Sequence, residues 1–223
     1  DVLLATSKHN IRYLLGGHHH HFFDYADAIG VSRYLPILVY PRGRPGDATY
    51  IANRNEKDAL AIRRREGRGL WVSRIHAESS GTVDAMSLAV RHIRTLAGRS
   101  LRLGIEAGFL PWDAACVLRD AFPEATLVDA LRPLERLRAV KTPQELERLR
   151  QASDLVVEAM MATISAHGPG VTKRELGATL RLEQTARGLL FEYGLLTVGT
   201  DLNRAPSEQR WEKGDVLSVD SGG

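Results

Sequence analysis

The chain has 223 residues, 43% of them hydrophobic and 26% charged, the balance of a folded globular protein with one large domain or two small ones. The 30 basic residues exceed the 27 acidic ones only enough for a net charge of +3, too slight an excess for a nucleic-acid surface. The longest apolar runs, such as 35–40, are far too short to span a bilayer, and the single cysteine, Cys116, excludes an internal disulfide and cysteine-rich zinc modules. No basic segment leads into an apolar core, so no secretory leader is expected and the expected compartment is the cytoplasm.

Residues 1–133 alternate between strand-like and helix-like segments. Runs 35–40 and 49–52 are short, apolar and bounded by Pro and Gly, as strands are, and 41–47 between them reads as a turn or loop. Glu56, Asp58 and the basic run Arg63, Arg64, Arg65 and Arg68 read as a solvated helix. Leu70, Trp71 and Val72 form another strand candidate. Residues 83–96 carry Met86, Val90 and Ile93 on one helical face, with Ala89, Leu96 and Ala97 beside it. A strand over 101–105, a helix over 112–121 and a strand over 126–128 complete the region. This alternation predicts an α/β domain in which helices cover a mixed sheet.

A second region, 134–223, has a different order. Thr142, Pro143 and Glu145 form a helix start with a capping box, followed by Leu146, Leu149, Val156, Met160 and Ile164 at helical spacing. Gly168, Pro169 and Gly170 stop that helix, and Thr172 with Glu175 opens the next, through about Arg187. Strands are predicted over 195–198 and 216–220. Two strands are too few for a stable sheet, so this region is expected to be an incomplete domain.

Few residues point to chemistry on their own. Period-two alternation puts Val216, Ser218 and Asp220 on one face of the last strand and Leu217 and Val219 on the other. An acid at the end of an apolar strand suits a cation site, since carboxylate oxygens take ions such as Mn²⁺. Asp220, Ser221, Gly222 and Gly223 equally suit a turn, and the local sequence favours the turn. The run His18, His19, His20 and His21 reads as a solvated loop; adjacent strand residues point to opposite faces, so at most two of the four could share a metal. Cys116 reads as a buried structural thiol, and Trp71, Trp112 and Trp211 as packing residues. No Gly-rich phosphate fingerprint is present.

Several segments, in order, resemble the creatinase, prolidase and aminopeptidase P family. They are 10–14 (Asn-Ile-Arg-Tyr-Leu), 138–145, the helix containing 150–152, 170–176 (Gly-Val-Thr-Lys-Arg-Glu-Leu) and 214–222. The resemblance implies that family's α/β N-terminal domain over 1–133, then the first part of an α+β pita-bread catalytic domain over 134–223. It implies a peptidase cleaving Xaa-Pro peptides, in which two Mn²⁺, Co²⁺ or Zn²⁺ ions activate a bridging water. Asp220 matches the first Asp ligand; the other four ligand positions would lie beyond Gly223, so these residues alone are expected to be inactive.

A substrate-binding His of many members maps to Asn203, three residues before Pro206. Asn can donate a hydrogen bond to a carbonyl but cannot transfer a proton. Family members form homodimers in which one subunit's N-terminal domain approaches the other's active site, so His18 and His19 are expected to line that entrance. The expected substrate is a peptide or small amide. Two alternatives remain open: a creatinase-like C–N hydrolase without metals, and a non-enzymatic pita-bread protein that binds peptides or proteins.

Overall fold

Six short strands rich in Leu, Ile and Val build one mixed sheet: β1 (Val2–Ala5), β2 (Ile37–Pro41), β3 (Thr49–Asn53), β4 (Arg74–Ser79), β5 (Arg102–Ile105) and β6 (Thr126–Asp129). Their order is β4-β3-β2-β1-β5-β6, antiparallel between β1 and β2 and between β2 and β3, parallel elsewhere. The computed structural model describes residues 1–21, 34–96 and 101–223, which divide into two units, Asp1–Ala139 and Val140–Gly223.

The two-residue period of the strands sends side chains to both faces of this sheet. Val2, Leu4, Ile37, Val39 and Ile51 pack on one face with Met86, Ala89 and Ile93 of α3 (Thr82–Leu96) and with Ala114 and Leu118 of α4 (Trp112–Ala121). Ala5, Leu38, Tyr50 and Ala52 pack on the other with Ile11 of α1 (Lys8–Leu14), Leu60 of α2 (Lys57–Arg65) and Leu134 of α5 (Leu131–Ala139). The first unit is therefore the expected α/β layer domain. Ala97, predicted beside the α3 face, lies outside the described residues.

Several expectations fail in this unit. Leu70, Trp71 and Val72 are irregular, and the strand begins at Arg74. Side-chain docking fixes this stretch without a ladder: Val72 is buried in the core and the Trp71 indole donates to the Leu14 carbonyl at 2.7 Å. Glu56 is buried rather than solvated. Trp112 is 74% exposed, its ring under the Arg119 guanidinium, and Cys116 is half-buried rather than enclosed.

Two buried carboxylates sit beside helix starts. Glu106 is wholly enclosed and accepts hydrogen bonds from Thr6 N at 2.6 Å, Ser7 N at 3.0 Å and Asn10 Nδ2 at 2.6 Å. Glu56 accepts from Asn53 N at 3.1 Å and from the Tyr50 hydroxyl, and its Oε2 lies 3.0 Å from His18 Nε2. Burial, reinforced by the charge and hydrogen bond of Glu56, pushes the Tyr50 hydroxyl well above its ordinary pKa, so it stays a donor. His20 is also buried, with Nδ1 2.8 Å from the His21 carbonyl oxygen.

The second unit joins α6 (Pro143–Ser165) and α7 (Lys173–Ala186) to an antiparallel pair, β7 (Tyr193–Val198) and β8 (Leu217–Gly222). Both predicted capping boxes form, Thr142 with Glu145 and Thr172 with Glu175. Gly170 turns the chain between the helices at φ +101°, which glycine adopts without strain. The turn predicted at Asp220 is absent: Asp220, Ser221 and Gly222 continue β8 and pair with Leu195, Gly194 and Tyr193. Among the described residues no helix is long and apolar enough to cross a membrane.

Two outcomes test the buried polar groups. Removing the Glu106 carboxylate leaves two backbone N–H groups and an amide without acceptors in a dry interior. Glu106→Ala is expected to cost at least about 3 kcal/mol, measured as a shift of the urea midpoint. His20 is held below the ordinary value of 6.5 chiefly by burial. The unfolded chain then takes up the proton first as pH falls. The stability contribution is full above pH 6.5 and is lost as pH drops from there toward the folded value. Urea midpoints should fall between about pH 7 and about pH 5, and less so in His20→Gln. Burial lowers His92 in the same direction, so part of the slope persists in that variant.

Candidate functional site

The β7–β8 pair is covered on one face only. Leu196 and Val198 are buried where α7 lies against β7 and α6 against β8. The register pairs Leu195 with Asp220 and Thr197 with Ser218, so Tyr193, Leu195, Thr197, Ser218 and Asp220 share the opposite face. The Asp220 side chain is 57% exposed there. Its Oδ1 lies 3.4 Å from the Tyr193 hydroxyl, and its Oδ2 lies 4.0 Å from Arg204 Nη1. Gly222 stands opposite Tyr193, where a Cβ would come within 2.7 Å of the ring, so the absent side chain lets the tyrosine lie across the pair toward Asp220.

The connection 199–216 brings Arg204 to this face. It returns over the start of α7, where Lys173 N donates to Gln209 O at 2.9 Å and Arg174 N to Ser207 O at 3.1 Å, satisfying helix-terminal donors that have no partner inside the helix. Glu175 N is satisfied by the Thr172 hydroxyl at 3.1 Å. Hydrogen bonds from the Thr172 backbone and hydroxyl hold the exposed Glu175 carboxylate below its usual range. Leu196 N donates to Arg204 O at 3.4 Å, which fastens the connection beside β7.

Asn203 is exposed, and its oxygens are both engaged: Oδ1 accepts from Ala205 N at 3.0 Å, and its carbonyl oxygen accepts from the Lys173 ammonium. The structure thus brings Arg204, the neighbour of Asn203, to Asp220, while the contacts of Asn203 are with Asp201, Ala205 and Lys173. His18 and His19 belong to the first unit and differ from each other. His19 is exposed, whereas His18 is 5% exposed and set against Glu56. The expected solvated loop is therefore wrong for His18 and His20, which are buried by two-residue alternation. His18 Nε2 faces the carboxylate while Nδ1 meets no partner among the described residues, so the Nε2–H tautomer fits.

Sequence reasoning missed Lys173, Arg204 and Tyr193. Lys173 enters only as part of the 170–176 segment, and nothing local marks it as buried. Arg204 and Tyr193 are ordinary surface types whose proximity to Asp220 comes from strand pairing.

As a metal donor Asp220 has the right chemistry, since both carboxylate oxygens lie on an open face and neither is held by a short contact. It is one donor. Among the described residues no three His, Cys, Asp or Glu side chains converge on one position, so a two-metal centre is not built from them alone.

The Creatinase/Prolidase N-terminal domain model matches residues 1–140. No significant match is found among curated proteins. Among solved structures, the chain is similar to an Xaa-Pro dipeptidase from Bacillus anthracis, with a TM-score of 0.75 and 18% identity over 100% of this chain and 56% of that one. A prolidase from Thermococcus sibiricus gives a TM-score of 0.75 at 19% identity, covering 99% of this chain and 56% of that one. Zn-substituted E. coli aminopeptidase P in complex with product gives 0.71 at 14% identity, covering 99% of this chain and 54% of that one. The chain thus spans little more than half the length of these proteins and shares their fold over that span, an α/β domain followed by the first part of a pita-bread domain. With more than half of its own length matched by the family model, the chain belongs to the creatinase/prolidase family.

Proposed function

We propose that the protein is a metal-dependent peptidase acting on Xaa-Pro peptides, in which Asp220 supplies one metal ligand and Asn203 binds substrate. The observation that carries this reading is Asp220 itself, whose carboxylate stands on the open face of β8 beside Arg204, the residue that follows Asn203. Bound divalent ions would supply activated water and charge stabilisation for the tetrahedral intermediate. The remaining donors would have to come from outside these 223 residues. Asn203, with its side-chain oxygen engaged by Ala205 N, presents Nδ2 as a donor for a substrate carbonyl. The Tyr193 hydroxyl lies 3.4 Å from Asp220 Oδ1, a donor beside the ligand. In this reading the protein is a homodimer with His19 and the neighbouring His18 at the partner's entrance.

A second reading has one observation in its favour. Arg204 lies 4.0 Å from Asp220 and already supplies a positive charge there, as a metal-free C–N hydrolase or a peptide-binding protein would permit. Metal analysis separates the two. The intact protein, prepared with added Mn²⁺, is expected to retain divalent metal, and Asp220→Ala to lose most of it. Equal metal content in both proteins, or none in the wild type, would sink the metallopeptidase reading.

A further inference from the structure

We propose that Lys173 is a positioning residue that fixes Asn203 as a hydrogen-bond donor toward a substrate carbonyl, an assignment that rests on the peptidase reading above. Lys173 is the first residue of α7 and has no exposed surface. Its ammonium donates to the carbonyl oxygen of Asn203, and among the described residues no carboxylate pairs with it. Such a placement is costly twice over. An ammonium without a carboxylate is taken out of water, and a cation sits at the helix end where the dipole disfavours it. Packing alone would be served as well by an apolar chain of the same length, so the charge needs another reason.

That reason is the geometry of Asn203. Three contacts fix the residue: Lys173 on its carbonyl oxygen, Asp201 Oδ1 accepting from its N at 2.9 Å, and Ala205 N donating to its Oδ1 at 3.0 Å. With the backbone and the side-chain oxygen held, Nδ2 is the polar group left over, and the residue is exposed. Lys173 grips the connection a second time, since its own N donates to Gln209 O at 2.9 Å and Gln209 Nε2 donates to Val198 O at 3.3 Å. The buried ammonium therefore ties Asn203 to α7, and the Lys173 backbone N–H with Gln209 fastens the same connection to β7. A donor held this way suits a neutral amide oxygen, and it carries no proton to transfer.

The test uses the intact protein as wild type, Lys173→Met, Asn203→Ala and the double variant. Hydrogen exchange of the peptide spanning 199–206 and kinetics with an alanyl-proline dipeptide are the readouts. Lys173→Met should keep or raise the thermal midpoint, because a buried charge is removed. Exchange across 199–206 should accelerate about tenfold, the order expected for losing a charge-assisted hydrogen bond. KM should rise by a similar factor with kcat nearly kept, and by nothing further in the Asn203→Ala background. Unchanged exchange, or a double variant whose KM rises by the product of the two single effects, overturns the proposal. If Lys173→Met does not fold, Lys173→Gln, a shorter neutral donor, is measured the same way. If the wild type cleaves no Xaa-Pro substrate, the peptidase reading fails and exchange alone decides the tie. If it cleaves and Lys173→Met is kinetically silent, the positioning role fails while the peptidase reading stands.

Discussion

Leu196 and Val198 lose essentially all their exposed surface against the α6–α7 layer, and burying side chains of that size stabilises by roughly 1.5–3 kcal/mol each. The rest of the second unit's chemistry follows from that pull. With every second residue of β7 drawn inward, the antiparallel register sends Asp220 outward opposite Leu195. A slip of one residue would bury Asp220 and expose Val219, so the hydrophobic face fixes the carboxylate's direction. The same packing sets the start of α7 beside the returning connection, whose carbonyls satisfy the first helical N–H groups. One set of contacts thus folds the unit and delivers Arg204 to the open face.

The first unit solves the opposite problem. Its central strands are covered on both faces, so no side of that sheet is free to carry polar chemistry. Its buried polar groups include two carboxylates, each satisfied by several donors. Glu106 gathers the backbone N–H groups of Thr6 and Ser7, and Glu56 gathers Asn53 N, Tyr50 and His18. Each carboxylate has acceptor sites for several donors, which is why a single acid can organise a chain reversal in a dry interior. His18 is drawn inward because Glu56 is there, and His20 follows by alternation, leaving His19 and His21 exposed.

The parts of this architecture that local rules govern were legible in the sequence. Both capping boxes, the α3 and α4 spans and the alternation of β8 follow from spacing and cap chemistry alone. The misses all turn on tertiary partners. Asp220 to Gly222 suit a turn by composition, yet β7 offers a ladder and the ladder prevails. Leu70 to Val72 suit a strand, yet docking of Trp71 on the Leu14 carbonyl holds them irregular. Glu56 reads as solvated and is buried against Tyr50 and His18, and nothing local marks Lys173, which is buried too. The position of Asp220 on its face was legible from the two-residue period; its neighbours Tyr193 and Arg204 were not, because pairing across the strands and the path of the connection bring them there.

The contact between Arg204 and Asp220 bears on whether the outer face could serve a metal. The side chains are 62% and 57% exposed, and the closest approach is 4.0 Å. An ion pair so open to solvent is worth about 0–1 kcal/mol, because water screens it and ordering two mobile side chains opposes it. Such a pair yields readily to a divalent ion held by several donors, since coordination energy grows with each ligand added. A lone carboxylate gains too little from one ion to displace even a weak partner or to offset stripping the ion's own water. The number of further donors that reach Asp220 therefore decides between the metal and the guanidinium, and Arg204 by itself decides nothing. Asn203 is different in kind. Its backbone and side-chain oxygen are held by Lys173, Asp201 and Ala205, contacts that involve neither Asp220 nor Arg204, so they are the same whichever cation the carboxylate faces.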